Sequence, residues 1–216
     1  MQQHHLTVPR TARYFTLGPF PRPASELWYA LHGYAQNAQS LLEWFAPLDD
    51  GSRTIAAPEG LSRFYTDHRR RQVAASWMTS EDRLAEIADY VRYLDQLHTH
   101  VRDRIGEDES RMVVLGFSQG AATAARWVGL GRARPHRLIL WGGLLPPDLD
   151  LDVAWAKLAD SRLTFVVGDK DRWVREADVE ATENRLLEHE IPYEVIRYRG
   201  KHEIDEETLK KVGGGW

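Results

Sequence analysis

Short, mostly apolar runs alternate with segments of helical spacing along most of the chain. The apolar runs predict buried strands over residues 27–31, 53–57, 112–116, 138–141, 163–167 and 193–198. Apolar residues three and four positions apart predict helices over residues 36–46, 80–106, 119–128, 176–190 and 204–212. Strands that alternate with helices are typical of an α/β protein with a mostly parallel sheet.

The longest predicted helix has the clearest pattern. Ser80 is predicted to cap its free N–H groups, and Gly106 is predicted to end it. Its apolar stripe is predicted to contain Leu84, Ile87, Ala88, Val91, Leu94, Leu97, Val101 and Ile105. Residues 6–17 predict edge strands or a hairpin. Residues 59–79, with aromatic side chains around the basic run 68–71, are predicted to be irregular.

The composition is that of a globular protein. Of its 216 residues, 43% are hydrophobic and 28% are charged, which excludes disordered, collagen-like and coiled-coil classes. This length allows one domain or two. Because no linker interrupts the alternation of strands and helices, we expect a single domain over residues 1–216. The apolar runs are far shorter than the roughly 20 residues that a membrane span needs.

Charge and residue usage exclude several kinds of site. A net charge of −4 and a pI of about 6.1 argue against nucleic-acid binding. The absence of cysteine excludes disulfides, thiolate metal sites and cysteine nucleophiles. His98 and His100 point to different sides of a helix, so no metal site is predicted. No secretion signal is visible, so a cytoplasmic protein without a stable membrane anchor is expected.

Residues 116–120 read Gly-Phe-Ser-Gln-Gly and lie between a predicted strand and a predicted helix. This pattern in this context is typical of a nucleophile elbow. Small residues two positions either side of Ser118 avoid collisions in so sharp a turn, so the Ser118 hydroxyl is expected to stand above the sheet. The N–H of Gln119, at a helix N-terminus, is expected to point toward the same space. The alternative is a chance match, which the flanking strand and helix disfavour.

A nucleophilic serine needs a base, and the base needs an acid that orients it. His202 follows the last predicted strand and therefore lies at the carboxyl edge of the sheet, where ligands bind in open α/β folds. His136 and His189 are expected at the surface. Asp169 and Asp171 both follow the preceding predicted strand. Aspartate also favours turns, so the residues alone do not choose between these two acids.

An oxyanion hole needs a second backbone N–H, which the loop after an early strand supplies in this kind of fold. Residues 31–35 (Leu-His-Gly-Tyr-Ala) form that loop. Gly33 permits close backbone approach, and the N–H of Tyr34 is the predicted donor beside that of Gln119. His32 is expected to hold the loop by hydrogen bonds. The alternative is an ordinary glycine turn.

In order and spacing, four segments of the chain resemble the phospholipase/carboxylesterase family of α/β-hydrolases, which includes acyl-protein thioesterases and small bacterial carboxylesterases. The segments are residues 31–34, 116–120, 168–171 and 200–202, and the resemblance extends from Leu27 to Leu209. It implies an α/β-hydrolase fold, with a mostly parallel central sheet, helices on both faces and a minimal lid. It also implies hydrolysis without a metal or cofactor.

The resemblance assigns a role to each candidate residue. Ser118 is the nucleophile, His202 the base, and Asp171, the second aspartate of the Gly-Asp-x-Asp pattern, the acid. The N–H groups of Tyr34 and Gln119 form the oxyanion hole. The chain departs from the family where Arg and Trp, rather than Pro, follow the acid, and where residues 58–81 lack the usual Asn-Gly-Gly and Trp-Phe-Asp stretches. We therefore expect the chain to share the family's chemistry, and we do not expect it to share the family's substrate.

Five apolar side chains are candidates for an acyl pocket, because they come from loops expected to border the elbow. They are Trp77, Met78, Leu144, Leu145 and Trp173. The alternative is that they anchor loops in the core. The basic run 69–71 either attracts an anionic substrate or is simply solvated, and the second interpretation is preferred.

Together these features predict a serine carboxylesterase that acts on small or medium acyl esters. A thioesterase or lysophospholipase with the same residues is the alternative within enzymes, and a catalytically silent binding protein is the alternative outside them. The expected partner is a small-molecule ester, not nucleic acid. Both a monomer and a homodimer are compatible with the sequence.

Overall fold

The computed structural model describes residues 1–106 and 111–214, and seven strands in it form one sheet. These strands are β1 (Tyr14–Leu17), β2 (Glu26–Leu31), β3 (Arg53–Pro58), β6 (Arg111–Phe117), β7 (Arg137–Trp141), β8 (Arg162–Gly168) and β9 (Tyr193–Tyr198). Their order across the sheet is β1-β3-β2-β6-β7-β8-β9. Only β1, at the edge, is antiparallel to its neighbour in this sheet.

Helices cover both faces of this sheet. They are α1 (Ala38–Glu43), α2 (Arg83–Ile105), α3 (Gln119–Leu130), α4 (Leu151–Asp160), α5 (Glu176–Glu188) and α6 (Glu206–Gly213), with a short 3₁₀ helix over Ala46–Leu48. Side chains of β2 alternate between the faces: Leu27 and Tyr29 pack with residues of α2, α3 and α4, whereas Trp28 and Ala30 pack with residues of α1 and α6. A parallel sheet buried on both faces confirms the predicted architecture.

Two elements were not predicted from the pattern. Residues 59–79, expected to be irregular, contain an antiparallel hairpin of β4 (Ser62–Asp67) and β5 (Gln72–Ser76). Its β4 side chains stay at least partly exposed, so its apolar residues are mixed with charged ones and no buried run marks it. The second element is α4, whose buried residues Leu151, Ala154 and Leu158 have helical spacing between acidic residues. That signal was present in the sequence.

The longest helix, α2, begins later than expected, and it buries most of the predicted stripe: Ile87, Leu94, Leu97, Val101 and Ile105. Its N-cap is Asp82, in a left-handed conformation (φ 50°) and without a side-chain capping bond, so Ser80 is not the cap. Leu84 and Ala88 face solvent, and Tyr90 joins the buried stripe instead. No helix in the described parts of the chain has the length and apolar character needed to cross a membrane.

Acidification is expected to destabilise the fold through His98 of α2. Its ring lies edge-on to the rings of Tyr29 and Trp127, and its Nδ1 is 3.0 Å from the Tyr29 hydroxyl. Burial, with a smaller contribution from Arg102, lowers the pKa of His98 from 6.5 to about 4. The unfolded chain takes up this proton near the ordinary pKa and the folded chain does not. Stability is therefore lost as the pH falls below 6.5, by on the order of 2 kcal/mol at pH 5.

Thermal melting at pH 7 and pH 5 checks this prediction. The contribution of His98 corresponds to a fall in Tm of about 4 °C or more for a chain of this size. The matched variant is His98→Asn, whose side-chain oxygen can accept the Tyr29 hydroxyl without titrating, and its Tm is expected to fall less. An equal fall in both proteins would assign the pH dependence to other groups.

Candidate active site

The turn between β6 and α3 presents Ser118 at the carboxyl edge of the sheet. Ser118 has φ 56° and ψ −117°, a strained backbone conformation for a residue with a side chain. A Cβ on Gly116 would lie 2.1 Å from the Gly120 carbonyl oxygen, and a Cβ on Gly120 would lie 2.1 Å from that of Leu31. Only glycine fits at these two positions, so the turn is as tight as the sequence pattern predicts.

A continuous hydrogen-bonded chain connects Ser118, His202 and Asp171. His202 Nε2 lies 2.8 Å from Ser118 Oγ, and His202 Nδ1 lies 2.7 Å from Asp171 Oδ2. With the carboxylate ionised, Nδ1–H donates to Asp171 and leaves Nε2 to accept the Ser118 proton. A hydroxyl, an imidazole and a carboxylate bonded in this order are the groups that nucleophilic catalysis by serine requires.

The structure separates the two candidate acids, Asp171 and Asp169. The Asp171 side chain is fully buried (0% exposed), and its Oδ1 accepts the backbone N–H groups of Trp173 (2.8 Å) and Val174 (3.3 Å). Asp169 is exposed, and its Oδ1 accepts the N–H of Gly200 (3.0 Å). Asp171 is thus held against the imidazole, whereas Asp169 ties the loop after β8 to the loop that carries His202.

Packing around the imidazole restricts its orientation. The ring of Phe117 lies 5.0 Å from that of His202. A Cβ on Gly142, which has a positive φ of 57°, would lie 3.1 Å from His202 Cε1. On the solvent side, the ring of Trp173 is 6.3 Å from that of His202 and is 79% exposed. The imidazole is held from the core side and flanked by an exposed indole.

The loop after β2 lies directly against the elbow. A Cβ on Gly33 would lie 3.1 Å from the Cβ of Ser118, so a side chain at this position would crowd the elbow. The Gly33 N–H donates to Gln36 Oε1 (2.8 Å). Among the described residues, no hydrogen bond occupies the N–H of Tyr34 or that of Gln119. Both N–H groups are therefore available to a ligand, which an oxyanion hole requires.

His32 is buried and plays no part in the hydrogen-bonded chain. Its Nδ1 lies 2.7 Å from the Gly33 carbonyl oxygen, its Nε2 accepts the N–H of Gly60 (2.9 Å), and its ring stacks on Trp77. Burial lowers the pKa of His32, which keeps the ring neutral. His32 therefore holds the loop by hydrogen bonds, as expected.

A family model described as Serine hydrolase (FSH1) matches residues 28–211. The chain belongs to this family. No curated protein matches the sequence significantly.

Solved structures of other proteins share the fold of this chain. Acyl-protein thioesterase 2 of Zea mays is 17% identical, with a TM-score of 0.72 over 94% of this chain and 97% of its own. The esterase PE8 is 20% identical, with a TM-score of 0.71 over 95% and 97%. A phospholipase/carboxylesterase from Dyadobacter fermentans DSM 18053 is 16% identical, with a TM-score of 0.66 over 97% and 98%. These likenesses confirm the predicted α/β-hydrolase fold.

The structure divides the five predicted pocket residues into two groups. Trp77 (3% exposed) and Leu145 (4% exposed) are buried in the core, as the alternative interpretation held, and offer almost no surface to a substrate. Met78 and Leu144 are half-buried, and Trp173 is exposed. Apolar loop residues that pack inward and those that line a site have the same appearance in a sequence.

The two other histidines that follow Ser118 in the sequence have different surroundings from His202. His136 is exposed at the amino end of β7, and His189 caps α5, where its Nδ1 lies 2.7 Å from the Arg185 carbonyl oxygen. Neither belongs to the hydrogen-bonded chain. No group of three or more potential metal-ligating side chains occurs within residues 1–106 and 111–214.

Two glutamine side chains near the site were missed by the sequence analysis. Gln36 accepts the N–H of Gly33, and the amide of Gln119 bonds to the end of β5. Polar residues that act on a neighbouring loop leave no periodicity or motif of their own. The only sequence signal is that Gln119 belongs to the Gly-Phe-Ser-Gln-Gly motif.

Proposed function

We propose that this serine hydrolase is a carboxylesterase that cleaves small to medium acyl esters through an acyl-enzyme on Ser118. The observation that carries the proposal is the hydrogen bond of 2.8 Å between His202 Nε2 and Ser118 Oγ, on a strained turn beside two free backbone N–H groups. A structural serine has no need of this combination.

The proposed reaction has two halves. Ser118 Oγ attacks the ester carbonyl carbon while His202 Nε2 takes the hydroxyl proton. The resulting oxyanion accepts the N–H groups of Tyr34 and Gln119, and Asp171 stabilises the imidazolium. His202 then gives its proton to the departing alkoxide oxygen, which leaves the acyl group on Ser118. A water molecule attacks this ester with His202 as base, and the second collapse releases the acid and restores Ser118.

The substrate class follows from the side chains that border the nucleophile. Trp173, Leu144 and Met78 each leave apolar surface accessible in loops around the site, and we assign the acyl group to this surface. Tyr34, in the loop after β2, is exposed. Its ring stacks on that of Phe64 in the β4–β5 hairpin, with 5.6 Å between the ring centroids. Apolar and aromatic borders favour an uncharged acyl chain.

A fluorophosphonate probe and a graded series of nitrophenyl esters test this proposal. We expect covalent labelling at Ser118 and turnover of short to medium acyl esters that exceeds turnover of an acyl-thioester or a lysophospholipid. Faster cleavage of the thioester or lysophospholipid would move the activity to that class. Absence of both labelling and turnover would make the protein a binding protein on a hydrolase fold.

Asp171→Asn is expected to lower kcat by roughly 10⁴-fold, because an asparagine favours the wrong imidazole tautomer. Asp169→Asn is the matched control. It removes the charge of the carboxylate that accepts the N–H of Gly200. We expect a lower Tm, with only a small effect on kcat. Steady-state kinetics and thermal melting of both purified variants check this prediction. A larger loss of kcat in Asp169→Asn would transfer the role of acid to Asp169.

Location and assembly remain predictions from the sequence. The protein is expected to be cytoplasmic, without a stable membrane anchor and without nucleic acid as a partner. Fractionation of cells that express it and gel filtration of the purified protein decide location and the choice between monomer and homodimer.

A further inference from the structure

The side-chain amide of Gln119 is fully engaged with the end of β5. Its Oε1 accepts the backbone N–H of Trp77 (3.0 Å), and its Nε2 donates to the carbonyl oxygen of Met78 (2.8 Å). The buried hydroxyl of Ser76 lies 3.3 Å from Oε1 and 3.2 Å from Nε2. One amide thus uses both its acceptor and its donor on three consecutive residues.

The same end of β5 also holds the loop that carries the other proposed oxyanion donor. The N–H of Ala35 donates to the carbonyl of Ala75 (3.1 Å), and the N–H of Ala75 donates to the carbonyl of Gln36 (2.7 Å). The indole N–H of Trp77 donates to the carbonyl of His32 (2.8 Å). These bonds attach the loop on both sides of its oxyanion donor.

We infer that the side chain of Gln119 is a positioning residue for the oxyanion hole. Through residues 75–78, it fixes the backbone N–H of Gln119 relative to that of Tyr34. The inference rests on the proposed function, in which both N–H groups bind the oxyanion. It explains the residue type as well, because an amide pairs with one N–H and one C=O of an extended backbone, which neither a carboxylate nor an apolar side chain can do.

The expected effect is on the transition state. Oxyanion donors act because they are fixed before the reaction, and a displacement of about 1 Å costs up to roughly 10²-fold in rate. Loosening both donors without deleting either is expected to lower kcat by about tenfold. Formation and breakdown of the acyl-enzyme both pass through an oxyanion, so either rate-limiting step shows the loss. KM is expected to change by less than about twofold, because the bound ester has no full charge for the donors to stabilise.

Two substitutions and one control test the inference. Gln119→Met keeps the size of the side chain and removes both hydrogen bonds. Gln119→Glu keeps the acceptor for Trp77 and, when protonated, recovers the donor to Met78. Gln72→Met changes an exposed glutamine at the start of β5 and is the matched control. For each protein, kcat and KM for one nitrophenyl ester are measured from pH 5.5 to 8, with Tm.

The inference predicts a lower kcat with little change in KM for Gln119→Met, and wild-type values for Gln72→Met. For Gln119→Glu, the ratio of its kcat to the wild-type kcat is expected to rise as the pH falls, because protonation restores the second bond. An unchanged kcat in Gln119→Met, or a flat ratio in Gln119→Glu, overturns the inference. If Gln119→Met fails to fold, the pH dependence of the kcat ratio between Gln119→Glu and the wild type decides. A wild-type protein without turnover or labelling overturns the proposed function instead, so the two failures are distinguishable.

Discussion

Ser118→Ala is expected to abolish ester hydrolysis and fluorophosphonate labelling and to leave the fold intact. Loss of the nucleophile removes the acyl-enzyme path, so a fall in kcat on the order of 10⁶-fold is expected, with residual rate from the oxyanion hole and binding alone. Ser118 is partly exposed and its hydroxyl bonds to His202, so alanine leaves no buried cavity behind. Tm is therefore expected to change little.

Mass spectrometry of the labelled protein and nitrophenyl ester turnover measure the two effects of Ser118→Ala. The matched control is Ser40→Ala, an exposed serine in α1, which is expected to label and turn over like the wild type. Retention of more than a few per cent of activity in Ser118→Ala, with contaminating esterase excluded, would contradict the proposed mechanism.

The sheet was predictable from the sequence because its strands are buried on both faces. Runs such as Met112–Leu115 of β6 are continuously apolar, which is typical of a strand that is buried on both faces. The β4–β5 hairpin lacks this signal, since it covers only one side of a loop and keeps charged residues such as Arg63 exposed. The hairpin was therefore missed because it has no buried apolar run, whereas α4 was missed although its buried residues have helical spacing in the sequence.

The site was predictable where the backbone geometry requires a particular residue type. Gly116 and Gly120 mark the elbow because any Cβ there would collide with backbone. The choice of Asp171 over Asp169 needed the family resemblance, because burial of one carboxylate and exposure of the other follow from the loop path after β8. The fate of Trp77, buried beneath the site, depends on that same kind of loop geometry.

His202→Ala is expected to remove most of the rate, by a factor comparable to that of Ser118→Ala, because His202 Nε2 contacts the Ser118 hydroxyl and takes its proton in the proposed mechanism. His136→Ala is the matched control, an exposed histidine at the amino end of β7, and is expected to keep the wild-type rate. Dialysis against EDTA is expected to leave the rate unchanged. Two results would contradict the proposed mechanism: a His202→Ala enzyme that keeps the wild-type rate, or activity lost to EDTA and restored by a divalent ion.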